Sequence, residues 1–155
     1  MVTGQDGEIN ALLRYSADGI TLPNKFKIKY PALRVVDNGF VYISDARSYR
    51  TAIKSRILNG DTTGVAWTKI YGGKVTENIV QALARIVVSE QMAEIGQTYH
   101  VAFQVHDEVV IICQDSDIDL AKQAITKVMS TPPRWAVDLP VSCEAGHGKN
   151  YGDAH

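Results

Sequence analysis

The chain has 155 residues, 45% of them hydrophobic and 21% charged, so it carries enough apolar material for a packed core and is not compositionally disordered. Its formal net charge of −1 gives no global sign of nucleic-acid binding. No apolar run approaches the ~20 residues that span a bilayer, the start Met1-Val2-Thr3-Gly4-Gln5-Asp6 lacks the basic and apolar regions of a signal peptide, and an intracellular protein with no membrane partner is expected.

Charge is unevenly placed. Of the 16 basic residues 12 lie in residues 1–85, against 7 of the 17 acidic ones, so the first part is basic and the remainder acidic. Such asymmetry suits one surface for phosphate and another for metal, and equally suits uneven solvation.

Residues 1–17 are polar and poorly specified. Lys25-Phe26-Lys27-Ile28-Lys29-Tyr30 then alternates, which predicts a strand with Phe26, Ile28 and Tyr30 inward and three lysines outward. The lysines would either touch a phosphate backbone or guard an edge strand, the second being favoured. Asp37-Asn38-Gly39 between Leu33–Val36 and Phe40–Ile43 signals a hairpin. Residues 44–64 allow a short helix ending at Asn59-Gly60 or a β excursion with its tip at Asn59-Gly60-Asp61. Val65–Tyr71 reads as a strand stopped by Gly72-Gly73.

From Thr76, a plausible N-cap, to Ile95 the period becomes helical, with Ile79, Leu83, Ile86 and Val87 as one apolar stripe and Gly96 as the stop. Asn78, Gln81 and Arg85 share another face, able to meet a minor groove or to be merely solvated. Val101-Ala102-Phe103-Gln104-Val105 and Val109-Val110-Ile111-Ile112 are two apolar runs that pair only as a tight hairpin, with His106-Asp107-Glu108 at its tip. The second run reads as a strand covered on both faces, and Cys113 at its end as a buried thiol. Two carboxylates on a rigid hairpin suit a divalent cation, although Asp107 is also an ordinary turn former. Asp115-Ser116-Asp117 opens a second helix with Ala121, Ala124, Ile125 and Val128 inward, ended by Pro132-Pro133. A last strand is expected near Leu139–Glu144, before a glycine-rich tail. The order predicts an α+β fold: an antiparallel β-sheet with a central His-Asp-Glu hairpin packed against two main helices, as one domain over 1–155.

Three stretches together resemble the C-terminal part of family A DNA polymerases, especially bacteriophage members. They are Tyr71-Gly72-Gly73-Lys74 with Glu77-Asn78 and Gln81, then Gln104-Val105-His106-Asp107-Glu108, then Glu144-Ala145-Gly146-His147-Gly148-Lys149-Asn150-Tyr151. Leu22-Pro23-Asn24 and Tyr30-Pro31-Ala32-Leu33-Arg34 add to the likeness, which covers about 18–152. The resemblance implies a palm-like domain of a nucleotidyltransferase in DNA replication, working in the cytoplasm of a phage-infected bacterial host. It implies that Asp107 binds the catalytic Mg2+ ions, that Glu108 lies near them and that His106 places the primer end. It also implies DNA contacts from Gln81, with Asn78, Arg85 and Gln104 joining that set; Ile86 stands where many phage relatives have an acid.

The family needs a second metal-binding aspartate and a fingers helix bearing Lys and Tyr-Gly. The two Tyr-Gly pairs here, Tyr71-Gly72 and Tyr151-Gly152, have Thr63 and Cys143 where that lysine would lie. The expectation is therefore a C-terminal piece of a larger or split polymerase, inactive alone, whose partners are a primer-template, dNTPs and a complementary N-terminal fragment or subunit. The alternative is a non-catalytic nucleic-acid-binding or interaction module. A phosphohydrolase built on His-Asp pairs is disfavoured, because His100, His147 and His155 show no such spacing.

Overall fold

The computed structural model describes residues 7–10, 12–16, 19–44, 56–61 and 65–154. Strands and helices follow in the order β1 (Gly7–Asn10), β2 (Leu13–Ser16), β3 (Gly19–Thr21), β4 (Lys27–Ile28), β5 (Arg34–Val36), β6 (Gly39–Tyr42), β7 (Thr68–Ile70), α1 (Gly72–Ile95), β8 (His100–Val105), β9 (Glu108–Ile112) and α2 (Ile118–Met129). This is an α+β chain with antiparallel sheets. Instead of one sheet, the described strands form three, ordered β1-β2-β3-β4, β5-β6-β7 and β8-β9. The chain divides into two compact units, Met1–Gln81 and Ala82–His155, with α1 crossing the division.

In the first unit the segment over 1–17, expected to be unspecified, contains β1 and β2. The strand expected over Lys25–Tyr30 shortens to β4, and Phe26 is 73% exposed rather than inward. The cause is a local turn: Lys25 has a positive φ of 68°, and the Phe26 amide donates to Asn24 Oδ1 at 3.1 Å. Asn side chains bonding backbone two residues on compete with strand pairing in this way. Ile28 and Tyr30 remain half-buried and the lysines exposed. The expected hairpin is present, with Val36 opposite Gly39 across Asp37-Asn38, and β7 extends it by pairing with β6. Its core holds Val41, Ile70 and Ile43, the last fully buried, while the first sheet contributes Leu13 and Ile20. Within the described 56–61 the backbone forms a helical turn ending at Asn59-Gly60; the rest of the ambiguous 44–64 segment, apart from Ser44, lies outside the described residues.

α1 begins at Gly72, a turn earlier than expected, so Gly72-Gly73 open the helix rather than stop a strand. Thr76 is consequently not the N-cap; its hydroxyl donates to the Gly72 carbonyl at 3.1 Å, one turn back. Gly96 follows the last residue, as expected.

In the second unit the buried side chains are Ile86, Val87, Gln91 and Ile95 of α1 and Ala121 of α2. Gln91 is the polar member, and its amide donates to the Met129 and Thr131 carbonyls at 3.0 and 3.3 Å, tying α1 to the end of α2. That satisfies the last carbonyl of the helix and one in the turn that follows it. The strand expected near 139–144 is not formed: the described backbone there is irregular, and Pro140 offers no amide donor to a ladder.

Candidate functional site

β8 and β9 pair antiparallel and are joined by a two-residue turn, His106-Asp107, with Val105 opposite Glu108. His106 occupies the left-handed region at φ 49°, a conformation uncommon for a non-glycine residue but demanded by tight two-residue hairpin connections. Such strain costs about 1–3 kcal/mol and needs support from its surroundings. Part of that support is Gln104, whose amide nitrogen donates to the His106 carbonyl at 2.9 Å.

The apolar strands do not present the faces that simple alternation suggests. A bulge between Val101 and Phe103 sets Val101 opposite Ile111 and Phe103 opposite the next residue, Val110. One extra residue in a strand moves everything beyond it to the other face. The register set by the two-residue turn puts Phe103, Val105, Glu108 and Val110 on one face, and the bulge moves Val101 to the other, opposite Ile111. No side chain of either strand is fully shielded, and Phe103 and Ile112 are exposed. The expectation of a strand covered on both faces is corrected accordingly. Cys113 is exposed, not buried, and both cysteines are free thiols.

The two acids at the tip differ in their surroundings. Asp107 lies in the exposed turn with no hydrogen bond or ion pair among the described residues. Glu108 accepts a hydrogen bond from the Tyr151 hydroxyl at 2.7 Å. That bond, followed by desolvation, raises the Tyr151 pKa, since losing the proton would place a second negative charge against the carboxylate. The ring of Tyr151 also meets Phe103 edge to face, centroids 5.4 Å apart. The sequence assigns Tyr151 no role, because no spacing rule links residues 43 apart.

The helix-borne candidates are differently engaged. Asn78 is half-buried and donates to the Tyr30 hydroxyl at 3.0 Å. Gln81 is exposed and donates to Glu77 at 3.3 Å, while Glu77 pairs with Lys74 at 2.9 Å. Arg85 is exposed, without an ion pair among the described residues. Asn78 thus has a structural partner, whereas Gln81 and Arg85 face solvent.

Among the described residues no three His, Cys, Asp or Glu side chains gather closely enough to hold a metal ion. A Mg2+ ion takes near-octahedral oxygen coordination, usually with one or two carboxylates. Asp107 can supply one such oxygen, while Glu108 is turned to Tyr151, so the described residues do not complete a site by themselves.

No family model matches the chain, and no solved structure matches it. Over 78 residues, 48% of this chain, it is 36% identical to a DNA polymerase of Bacillus phage SP02. Part of this chain is polymerase-related. It spans 11% of the length of that polymerase. Among the described residues no helix is long and apolar enough to cross a membrane.

Proposed function

We propose that this chain is one portion of a template-directed DNA polymerase, contributing a palm-like hairpin to nucleotidyl transfer on a primer-template with dNTPs. The identity to the phage polymerase carries the reading. The geometry supports it: a short, specified turn puts the Asp107 carboxylate at an exposed tip, without a competing partner among the described residues. In this reading Asp107 ligates Mg2+, and the remaining ligands come from outside the described residues. Two such ions would activate the primer hydroxyl and stabilise the departing pyrophosphate. His106 and Glu108 flank that ligand, and Gln81, with Arg85 beside it and Gln104 at the turn, belongs to the DNA-facing set. Asn78 and Gln104 take the lesser part, because the Tyr30 hydroxyl and the His106 carbonyl already hold their amides. The isolated chain is inactive, and a complementary polymerase fragment or subunit completes it.

The test is recovery of the tagged chain from the cells that naturally express it, followed by primer extension on the eluate. The expected result is co-purification of a larger protein and extension that Asp107→Asn abolishes. Extension unaffected by that substitution would remove Asp107 from the site. DNA binding without extension in any eluate would replace the enzyme with a non-catalytic module, and extension by the pure chain would refute incompleteness.

A further inference from the structure

The C-terminal segment is tied to the hairpin at several points. Lys149 forms an ion pair with Asp115, just beyond β9, and this pairing lowers the Asp115 pKa. Two residues on, Tyr151 reaches the beginning of β9 at Glu108 and meets Phe103 of β8 edge to face. Both contacts fall on one hairpin face, the face shared by Phe103, Val105, Glu108 and Val110. The segment is closed on itself between these ties. Asn150 caps the short 3-10 turn Tyr151–Asp153, its Oδ1 accepting from the Asp153 amide at 3.2 Å. Gly148 sits so close beneath that turn that a Cβ there would lie 2.6 Å from the Asp153 backbone carbon. The Tyr151 hydroxyl is therefore delivered by an ordered segment, not by a loose tail.

We propose that Tyr151 is a positioning residue for the hairpin tip: its hydroxyl holds the Glu108 carboxylate along the Phe103 face, so that Asp107 alone is presented at the turn. Adjacent acids at a hairpin tip would otherwise compete for one cation, and like charges side by side would each disfavour the other. Glu108 begins a strand, so its side chain alternates away from its neighbour's, and a phenol donor fixes it there. The Phe103 ring restricts the phenol in turn, since edge-to-face geometry defines where its hydroxyl points. The inference rests on the proposed reading only in taking Asp107 as the cation ligand.

The test uses the full chain labelled with 13C and compares it with Tyr151→Phe, which keeps the ring and removes the hydroxyl. In the unaltered protein the Glu108 side chain is expected to occupy one rotamer. In Tyr151→Phe it is expected to become rotationally averaged while the amide exchange of β8 and β9 stays unchanged. Should Tyr151→Phe not fold, Glu108→Gln gives the same comparison read from the Tyr151 ring signals. A Glu108 side chain that stays in one rotamer without the hydroxyl would overturn the proposal. So would a general rise in amide exchange across the hairpin, which marks a merely structural contact. Mn2+ alone is the second probe. It should broaden the Asp107 carboxyl signal well beyond that of Glu108, and broaden both in Tyr151→Phe with a several-fold rise in affinity. Mn2+ that ignores Asp107 in the unaltered protein would count against the metal role of Asp107, while the rotamer comparison decides the role of Tyr151 separately.

Discussion

A thiol reacts as its thiolate, so exposure and the stability of that anion govern its chemistry. Cys143 is only partly exposed, and burial, with Glu144 beside it, raises its pKa. Its sulfur also donates to the Glu144 carbonyl at 3.3 Å, which favours the protonated form. Cys113 stands exposed after β9. A raised pKa keeps the Cys143 thiol protonated to higher pH. Alkylation at pH 8 is therefore expected to label Cys113 first, with Cys143 catching up as pH rises; peptide mapping of a time course measures the order. Equal rates at pH 8 would show that the Cys143 environment does not persist in solution. Residue-scale roles were partly legible in the sequence. Adjacent acids between two apolar runs marked the tip, because turn chemistry is local. The partner of Glu108 was not legible, because Tyr151 is brought to it by the fold and not by spacing.

Elements form where local preference and long-range pairing agree. The Asp37-Asn38-Gly39 hairpin and the pairing of β8 with β9 were readable for that reason. The bulge near the start of β8 was not, since a single inserted residue leaves composition unchanged while reversing the faces on its far side. The start of α1 at Gly72 is not legible in the sequence, because paired glycines signal a break, although a helix end tolerates them better than its interior does. Within the first sheet, Gly19 has a φ of 131°, and a Cβ there would lie 2.1 Å from the Ile28 carbonyl oxygen. Gly19→Ala is expected to destabilise the β3–β4 pairing by about 1–3 kcal/mol, the usual cost of such backbone strain. Faster amide exchange at Ile20 and Ile28 would register it. Gln91 offers the matching experiment in the second unit. It is 8% exposed and bonds two carbonyls at the end of α2. Gln91→Ala removes both bonds, strands two acceptors and opens a small void, so a loss of about 1–3 kcal/mol is expected in urea unfolding. A change below the error of that measurement would mean that water replaces the amide without penalty.

For the whole molecule the decisive quantity is how much apolar surface folding removes from water. In the second unit the buried side chains come from α1 and Ala121; β8 and β9 supply none, and Leu120, Val137 and Ile112 are each more than half exposed. In the first unit Phe26 and Val35 are exposed as well. Hydration of apolar surface dominates the heat capacity of unfolding, about 12–15 cal/mol/K per residue in ordinary globular proteins. For 155 residues that amounts to roughly 2 kcal/mol/K. The isolated chain is expected to fall clearly below this in scanning calorimetry and to bind a hydrophobic dye under native conditions. Single exposed apolar residues need no explanation, but a hairpin whose apolar residues are all half-buried or exposed leaves surface that soluble proteins usually cover. In the polymerase assembly proposed above that surface would be covered, so the same chain in such a complex should lose its dye binding. A normal heat capacity with no dye binding would instead describe a chain whose apolar surface is already covered, and would weaken the case that further polypeptide completes it.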